Sequence, residues 1–162
     1  MANIVNVRLD ERLIHGQIGA FWTNELKANR LMVIDDIAAG NEIQKTALKM
    51  AKPAGTKLSI LKVDKAVERL NDPEAYVGER LFVICGKIKT INELIKKGAP
   101  IKKVTIGNIS NKTGSTRIYS SVSVSHEEAE LFRETAKLGI EFTAQMVPND
   151  EPKEFIPLIK NI

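Results

Sequence analysis

Ten residues near the amino end, Arg8-Leu9-Asp10-Glu11-Arg12-Leu13-Ile14-His15-Gly16-Gln17, gather the groups best able to do chemistry. One imidazole stands within a few residues of two guanidinium groups and two carboxylates. A neutral imidazole is a nucleophile near neutral pH, and a guanidinium grips anionic oxygens in a planar fork. No other nucleophile lies close in the chain, so a Ser–His or Cys–His relay has little support. The combination suits an oxyanion, phosphate above all, and His15 can accept a phosphoryl group directly. Arg12, three residues before His15, either spreads the charge of a transferring group or forms a surface pair with Asp10 or Glu11. Asp10 either holds Arg12 or holds one ring nitrogen of His15 while the other attacks. Arg8 reads as structural. Ile14, Gly16 and Gln17 complete a phosphoryl-binding loop, the last two through backbone N–H groups that open a helix. The spacing is not that of a glycine-rich nucleotide loop. The nearby donors are arginines and amides rather than a carboxylate cage, so neither a metal site nor a cofactor is expected.

The elements that must position this loop follow from periodicity. Asn3–Val7 alternates as a strand, and 17–26 reads as an amphipathic helix, so His15 falls at a strand-to-helix junction. Further strands are expected at 30–35, 57–61, 80–85, 103–106, 117–124 and 140–147. Helices are expected at 41–52, with Ile43, Ala47, Leu48 and Ala51 on one face, at a short segment capped by Asp64, and between Thr90 and Gly98. Another starts at the Ser125/Glu128 capping box, and a short tail helix follows Pro152. Thr90 and Glu93 share the same capping-box spacing. Alternating strands and helices define an α/β single domain over 1–162, with a mostly parallel central sheet and helices on both faces. The segment 117–124 follows its predecessor through a turn, which predicts an antiparallel edge. In such sheets ligands bind outside the carboxyl ends of the strands. Asp35, Asp36, Lys87, Gly107 and Asn108 all follow strands and are secondary candidates at that edge, each with an alternative role as cap or turn former.

The bulk properties exclude several classes. The net charge of +4 is spread along 162 residues without a basic, aromatic-rich run, so no nucleic-acid partner is expected. No apolar run reaches ~18 residues, and the first residues carry no signal-peptide pattern. Cys85 is the only cysteine, which suits a reducing, cytoplasmic setting, and at the end of an apolar strand it reads as a small core residue. With His126 read as an exposed first-turn residue, a Cys/His zinc site is not expected. Trp22, two helical turns beyond His15, reads as core or interface edge.

The run R-L-D-E-R-L-I-H-G-Q with Trp22 after it resembles the phosphorylation loop of the enzyme IIB subunit. That subunit belongs to the mannose/fructose/sorbose family of the bacterial sugar phosphotransferase system, and the similarity extends over nearly the whole chain in length and element order. The resemblance implies that His15 accepts a phosphoryl group from enzyme IIA and passes it to a sugar held by the membrane permease subunits IIC and IID. It favours the charge-clamping role for Arg12. It implies a cytoplasmic carrier associated peripherally with the permease, for a hexose-type sugar, and leaves a homo-oligomer open. From the residues alone, a small-molecule phosphotransferase or phosphatase with a transient phosphohistidine and a non-catalytic anion-binding module remain the alternatives.

Overall fold

Alternation along the central strands builds two cores. In β2 (Arg30–Ile34), Leu31 and Val33 face one side while Met32 and Ile34 face the other. In β4 (Arg80–Cys85), Phe82 and Ile84 oppose Leu81, Val83 and Cys85 in the same way. Strands covered on both faces need this continuous apolar character. The computed structural model describes residues 2–16 and 18–162.

β1 (Asn3–Asp10), β2, β3 (Lys57–Leu61), β4, β5 (Lys103–Asn108) and β8 (Glu141–Ala144) pair in parallel, and β9 (Lys153–Glu154) closes the sheet antiparallel to β8. The order is β3-β2-β4-β1-β5-β8-β9, so β1 lies in the middle. The antiparallel edge is therefore supplied by β9, not by 117–124. That segment divides into β6 (Thr116–Tyr119) and β7 (Val122–Val124), a separate antiparallel hairpin, with a turn at Ser120-Ser121 breaking the run.

The larger core lies under α4 (Val63–Asn71), α5 (Ile88–Lys96) and α6 (His126–Lys137). The smaller one is closed by the π-helical turn Ile18–Trp22 and by Leu48 of α3 (Glu42–Ala51). α1 (Thr23–Leu26) and α2 (Asp36–Ala39) are single turns, and a 3₁₀ turn at Ile156–Ile159 forms the tail.

Four local expectations change. The helix after β1 is a π-turn running into α1 rather than one regular helix. α5 begins at Ile88, so Thr90 lies inside it and the real boxed cap is Ser125 with Glu128. Lys62, not Asp64, occupies the cap position of α4, whose first N–H, that of Val63, is instead met by Asp36 at 2.9 Å. On α3, only Leu48 is buried, and Ile43 remains 82% exposed.

Candidate active site

The period of two along β1 decides which side each loop residue serves. Val7 and Leu9 enter the larger core, so Arg8 and Asp10 point to the opposite face, where Trp22, Ile14 and Ile18 pack. Both Arg8 and Asp10 are fully buried. Beyond Asp10 the chain turns sharply. Leu13 N–H donates to the Asp10 carbonyl at 2.9 Å, and Leu13 itself adopts φ 57°, the left-handed region that a leucine rarely occupies. This turn returns the chain so that His15 stands over Asp10.

Asp10 is the centre of the arrangement. Its Oδ1 accepts the Arg12 backbone N–H at 3.0 Å and the Arg12 Nε–H at 3.3 Å. Its Oδ2 lies 2.9 Å from His15 Nε2, 3.4 Å from Arg12 Nη2 and 3.7 Å from Arg8 Nε. A buried carboxylate needs such partners, because taking an unpaired charge out of water is costly. Burial pulls the Arg8 guanidinium down to about 10, with Asp10 pulling the other way, so it remains a cation at neutral pH. The accessible members are Arg12, 43% exposed, and His15, 17% exposed. His15 is thus more enclosed than an exposed loop side chain, and Arg12 is the guanidinium with freedom to move.

Two alternatives left open by the residues alone are resolved by this geometry, since Asp10 contacts Arg12 and His15 at once. Arg8 is structural in the sense of being buried, but it also touches Asp10. Ile14 is buried in the smaller core, so only its backbone could meet a phosphoryl group. Gly16 is exposed, with nothing within 4 Å of where a Cβ would stand, and Gln17 lies outside the described residues.

The secondary candidates divide. Asp35 caps α2 by accepting the Ala38 N–H at 2.8 Å, and Asp36 is spent on Val63. Lys87 is exposed at the cap of α5. The Asn108 carbonyl accepts the Glu11 N–H at 3.1 Å, which ties the loop to β5. Gly107 faces inward against Arg8. Asp35 and Lys87 line a cleft of about 550 Å³ at the same edge, with Glu11, Leu13, Ile109 and Leu131 among its walls. Leu9 is in that lining while Arg12 and His15 are not, so the cleft lies on the opposite side of the loop from the imidazole. Lys112 and Ser110 bridge to Glu11 across the cleft rim; burial raises the Glu11 carboxyl, but these bonds outweigh it and hold it below its usual value. Burial pushes the Cys85 thiol up to about 12, with Asp35 adding to the effect, so it is inert. From residue types Trp22 reads only as core or interface edge and Gly107 as following a strand; Gly107 instead lies inside β5, and both residues pack against the Arg8 guanidinium, a close approach of the kind a glycine within a strand permits.

A doubly wound sheet with a histidine, a buried carboxylate and two arginines at its carboxyl edge belongs to the class of α/β domains that handle small anionic groups there. The chain belongs to the sorbose subfamily of IIB components of the phosphotransferase system, whose family model matches residues 4–162. It is 33% identical over 159 residues to the sorbose-specific EIIB component of Lacticaseibacillus casei, covering 98% of this chain and 96% of that one. It is 31% identical over 155 residues to the mannose-specific EIIAB component of Escherichia coli K12, covering 96% of this chain but 48% of that longer protein. The fold matches the crystal structure of the IIBSor domain of the Klebsiella pneumoniae sorbose permease with a TM-score of 0.89 at 27% identity, over 97% and 96% of the two chains. The protein is accordingly a phosphotransferase component that carries a phosphoryl group during sugar uptake. Among the described residues, no helix is long and apolar enough to cross a membrane.

Proposed function

We propose that His15 is the phosphoryl carrier of this IIB component. The observation behind this reading is the 2.9 Å approach of His15 Nε2 to Asp10 Oδ2 at the carboxyl edge of the sheet. With the Nε2 proton donated to a buried carboxylate, the neutral ring bears its lone pair on Nδ1. Nδ1 attacks the phosphorus of a phosphohistidine on enzyme IIA. The new N–P bond forms as the donor's N–P bond breaks, and the donor ring leaves with the electron pair. Arg12 turns its guanidinium toward the phosphoryl oxygens, and backbone N–H groups of the loop supply further donors. In the second step a sugar hydroxyl attacks the same phosphorus, the N–P bond of His15 breaks, and the hydroxyl proton is lost to a base.

The donor is enzyme IIA, and the acceptor sugar is held by membrane subunits IIC and IID. A IIA partner is supported by the relative whose name joins IIA and IIB in one chain. The sugar is of the hexose class, in keeping with relatives named for sorbose and mannose. The protein works at the cytoplasmic face of that permease.

The test is intact-mass spectrometry after incubation with phosphoenolpyruvate, enzyme I, the small histidine phosphocarrier and enzyme IIA. One acid-labile, base-stable phosphoryl group is expected, absent from His15→Ala. Phosphorylation that survives in His15→Ala removes the assignment. Turnover of free sugar phosphates without a permease would instead favour a self-contained phosphatase.

A further inference from the structure

Arg8 carries a full charge into the interior behind the histidine loop, and four neighbours fix it there. Its Nη1 and Nη2 donate to the carbonyls of Gln145 at 2.9 Å and Met146 at 2.8 Å. Its guanidinium lies 4.8 Å from the centre of the Trp22 ring, and the Trp22 indole N–H donates to the same Met146 carbonyl at 2.9 Å. Gly107 forms the remaining wall, where a Cβ would fall 2.0 Å from Nη2. Among the described residues, Arg8 Nε is the one buried side-chain nitrogen without a hydrogen-bond partner, and it stands 3.7 Å from Asp10 Oδ2. Packing alone does not call for a cation here, since apolar residues of like volume often serve a buried ion-pair position as well or better.

We propose that Arg8, clamped by Trp22, Met146 and Gly107, is a positioning residue. It aims the Asp10 carboxylate at His15 and, as a fixed cation, keeps the imidazole neutral and therefore nucleophilic. The proposal rests on the reading of His15 as phosphoryl acceptor.

The reason for two arginines lies in their mobility. Arg12 is exposed enough to leave Asp10 for the incoming phosphoryl group, whereas Arg8 cannot leave. While Arg12 is engaged elsewhere, Asp10 keeps one cation beside it. Without Arg8, an uncompensated buried carboxylate would draw a second proton onto the ring and remove the attacking lone pair. The other elements around the site add little opposing charge. β5 presents Gly107 and Asn108, and Trp22 and Met146 are neutral. β4 ends at Cys85, and a Cβ on the following Gly86 would stand 3.9 Å from Asp35 Oδ2. Lys87 is turned to solvent.

The experiment compares wild type, Arg8→Met, Arg8→Lys and Trp22→Phe by ring-nitrogen NMR of His15 and by the pH profile of phosphorylation from phospho-IIA. Wild type should show a single neutral tautomer protonated on Nε2. In Arg8→Met the acidic limb of the rate should move to higher pH by about one unit, with an approximately tenfold loss at pH below the wild-type limb. Arg8→Lys should keep the limb near its wild-type place while slowing transfer. Trp22→Phe retains a ring under the guanidinium but loses the N–H, and should shift the tautomer ratio in the same direction as Arg8→Met. A folded Arg8→Met with wild-type tautomer and pH limb overturns the proposal. So does an equal limb shift in Arg8→Lys and Arg8→Met, because packing would then be the cause. If Arg8→Met does not fold, an unchanged tautomer in Trp22→Phe overturns it. Because the NMR arm needs no phosphate donor, a failure of the His15 reading would be seen separately, as wild type that takes no phosphoryl group.

Discussion

Gly107 is the floor beneath Arg8: a methyl group on it would meet the guanidinium carbon at 2.2 Å and Nη2 at 2.0 Å. A contact that close cannot be absorbed by a side chain with nowhere to go, and Arg8 is fully buried. Gly107→Ala should therefore break the bonds to Gln145 and Met146 and cost about 3 kcal/mol or more. Gly86→Ala is the control, because its Cβ would meet the flexible end of Leu13 at 3.3 Å and should cost about 1 kcal/mol or less. Denaturant midpoints at constant m-value measure both, and equal losses would contradict this account of Gly107.

His15→Ala should abolish phosphorylation at some cost in stability. The imidazole is mostly enclosed and hydrogen-bonded to a buried carboxylate. Removing it strips one partner from Asp10, so a loss of about 1–2 kcal/mol is expected rather than none. His15→Gln, which can still donate to Asp10, should recover part of that stability and none of the phosphorylation. Denaturant midpoints alongside intact mass would show the division; full phosphorylation of the glutamine variant would count against His15 as acceptor.

Much of this is legible in the sequence, and the exceptions arise where tertiary packing decides. The strands at 30–34, 57–61 and 80–85 declared themselves because burial on both faces imposes continuous apolar runs. Ser125 and Glu128 form the expected capping box, whereas Thr90 and Glu93 have the same spacing inside α5. Spacing alone cannot tell a cap from a first turn when the helix starts early. Ile43 fits an apolar helical face yet lies exposed, because α3 meets the sheet mainly through Leu48. At the site, His15, Asp10 and Arg12 are local in sequence, so their spacing alone groups them. The support of Arg8 by Met146, 138 residues away, is a tertiary fact that no local pattern carries.

Arg12→Lys should slow phosphoryl transfer by tens-fold or more while thermal stability moves little. Lysine keeps the charge and loses the fork that now reaches both oxygens of Asp10 through Nε and Nη2. Because the Arg12 side chain is 43% exposed, its ion pair is screened and worth at most ~1 kcal/mol. Rapid-quench transfer from phospho-IIA, with a melting curve beside it, checks both halves. Wild-type rates would reduce Arg12 to a surface cation.

Far from the site, Glu79 should control acid stability. It accepts from Arg30 Nε and Nη2 and from Lys57 Nζ, joining the starts of β2 and β3 to the segment before β4. The Arg30 bonds, with Lys57 assisting against burial, hold its carboxyl at about 2 instead of 4.5. A depressed folded value means that the stabilisation is complete above about pH 4.5 and fades as pH falls toward 2. Glu79→Gln should therefore be less stable than wild type at pH 7, with the gap closing across that window. A gap that stays constant from pH 6 to about pH 2 would show that the ion pairs contribute nothing.

Two partners should share one loop. On the proposed reading a phosphoryl group arrives on His15 from enzyme IIA and leaves to a sugar held by the permease, and each partner must bring its reacting atom within bonding distance. Both therefore cover the carboxyl edge of the sheet. That edge presents Arg12, Lys87 and Lys89 to solvent beside a cleft walled by Leu13, Ile109 and Leu131. Exposed cations steer acidic surfaces, and an apolar-walled recess gives the contact something to bury. Enzyme IIA and the permease should compete, each binding with modest affinity so that exchange stays fast. Association with enzyme IIA should weaken as salt rises, and Lys87→Glu with Lys89→Glu should lower its on-rate by about tenfold while leaving His15 chemistry intact once bound. Backbone-amide NMR titration can follow this directly: enzyme IIA should perturb residues 11–16, 86–89 and 108–112, and solubilised permease should displace it. Perturbation confined to the opposite edge, or a stable ternary complex on one IIB domain, would overturn the shared docking face.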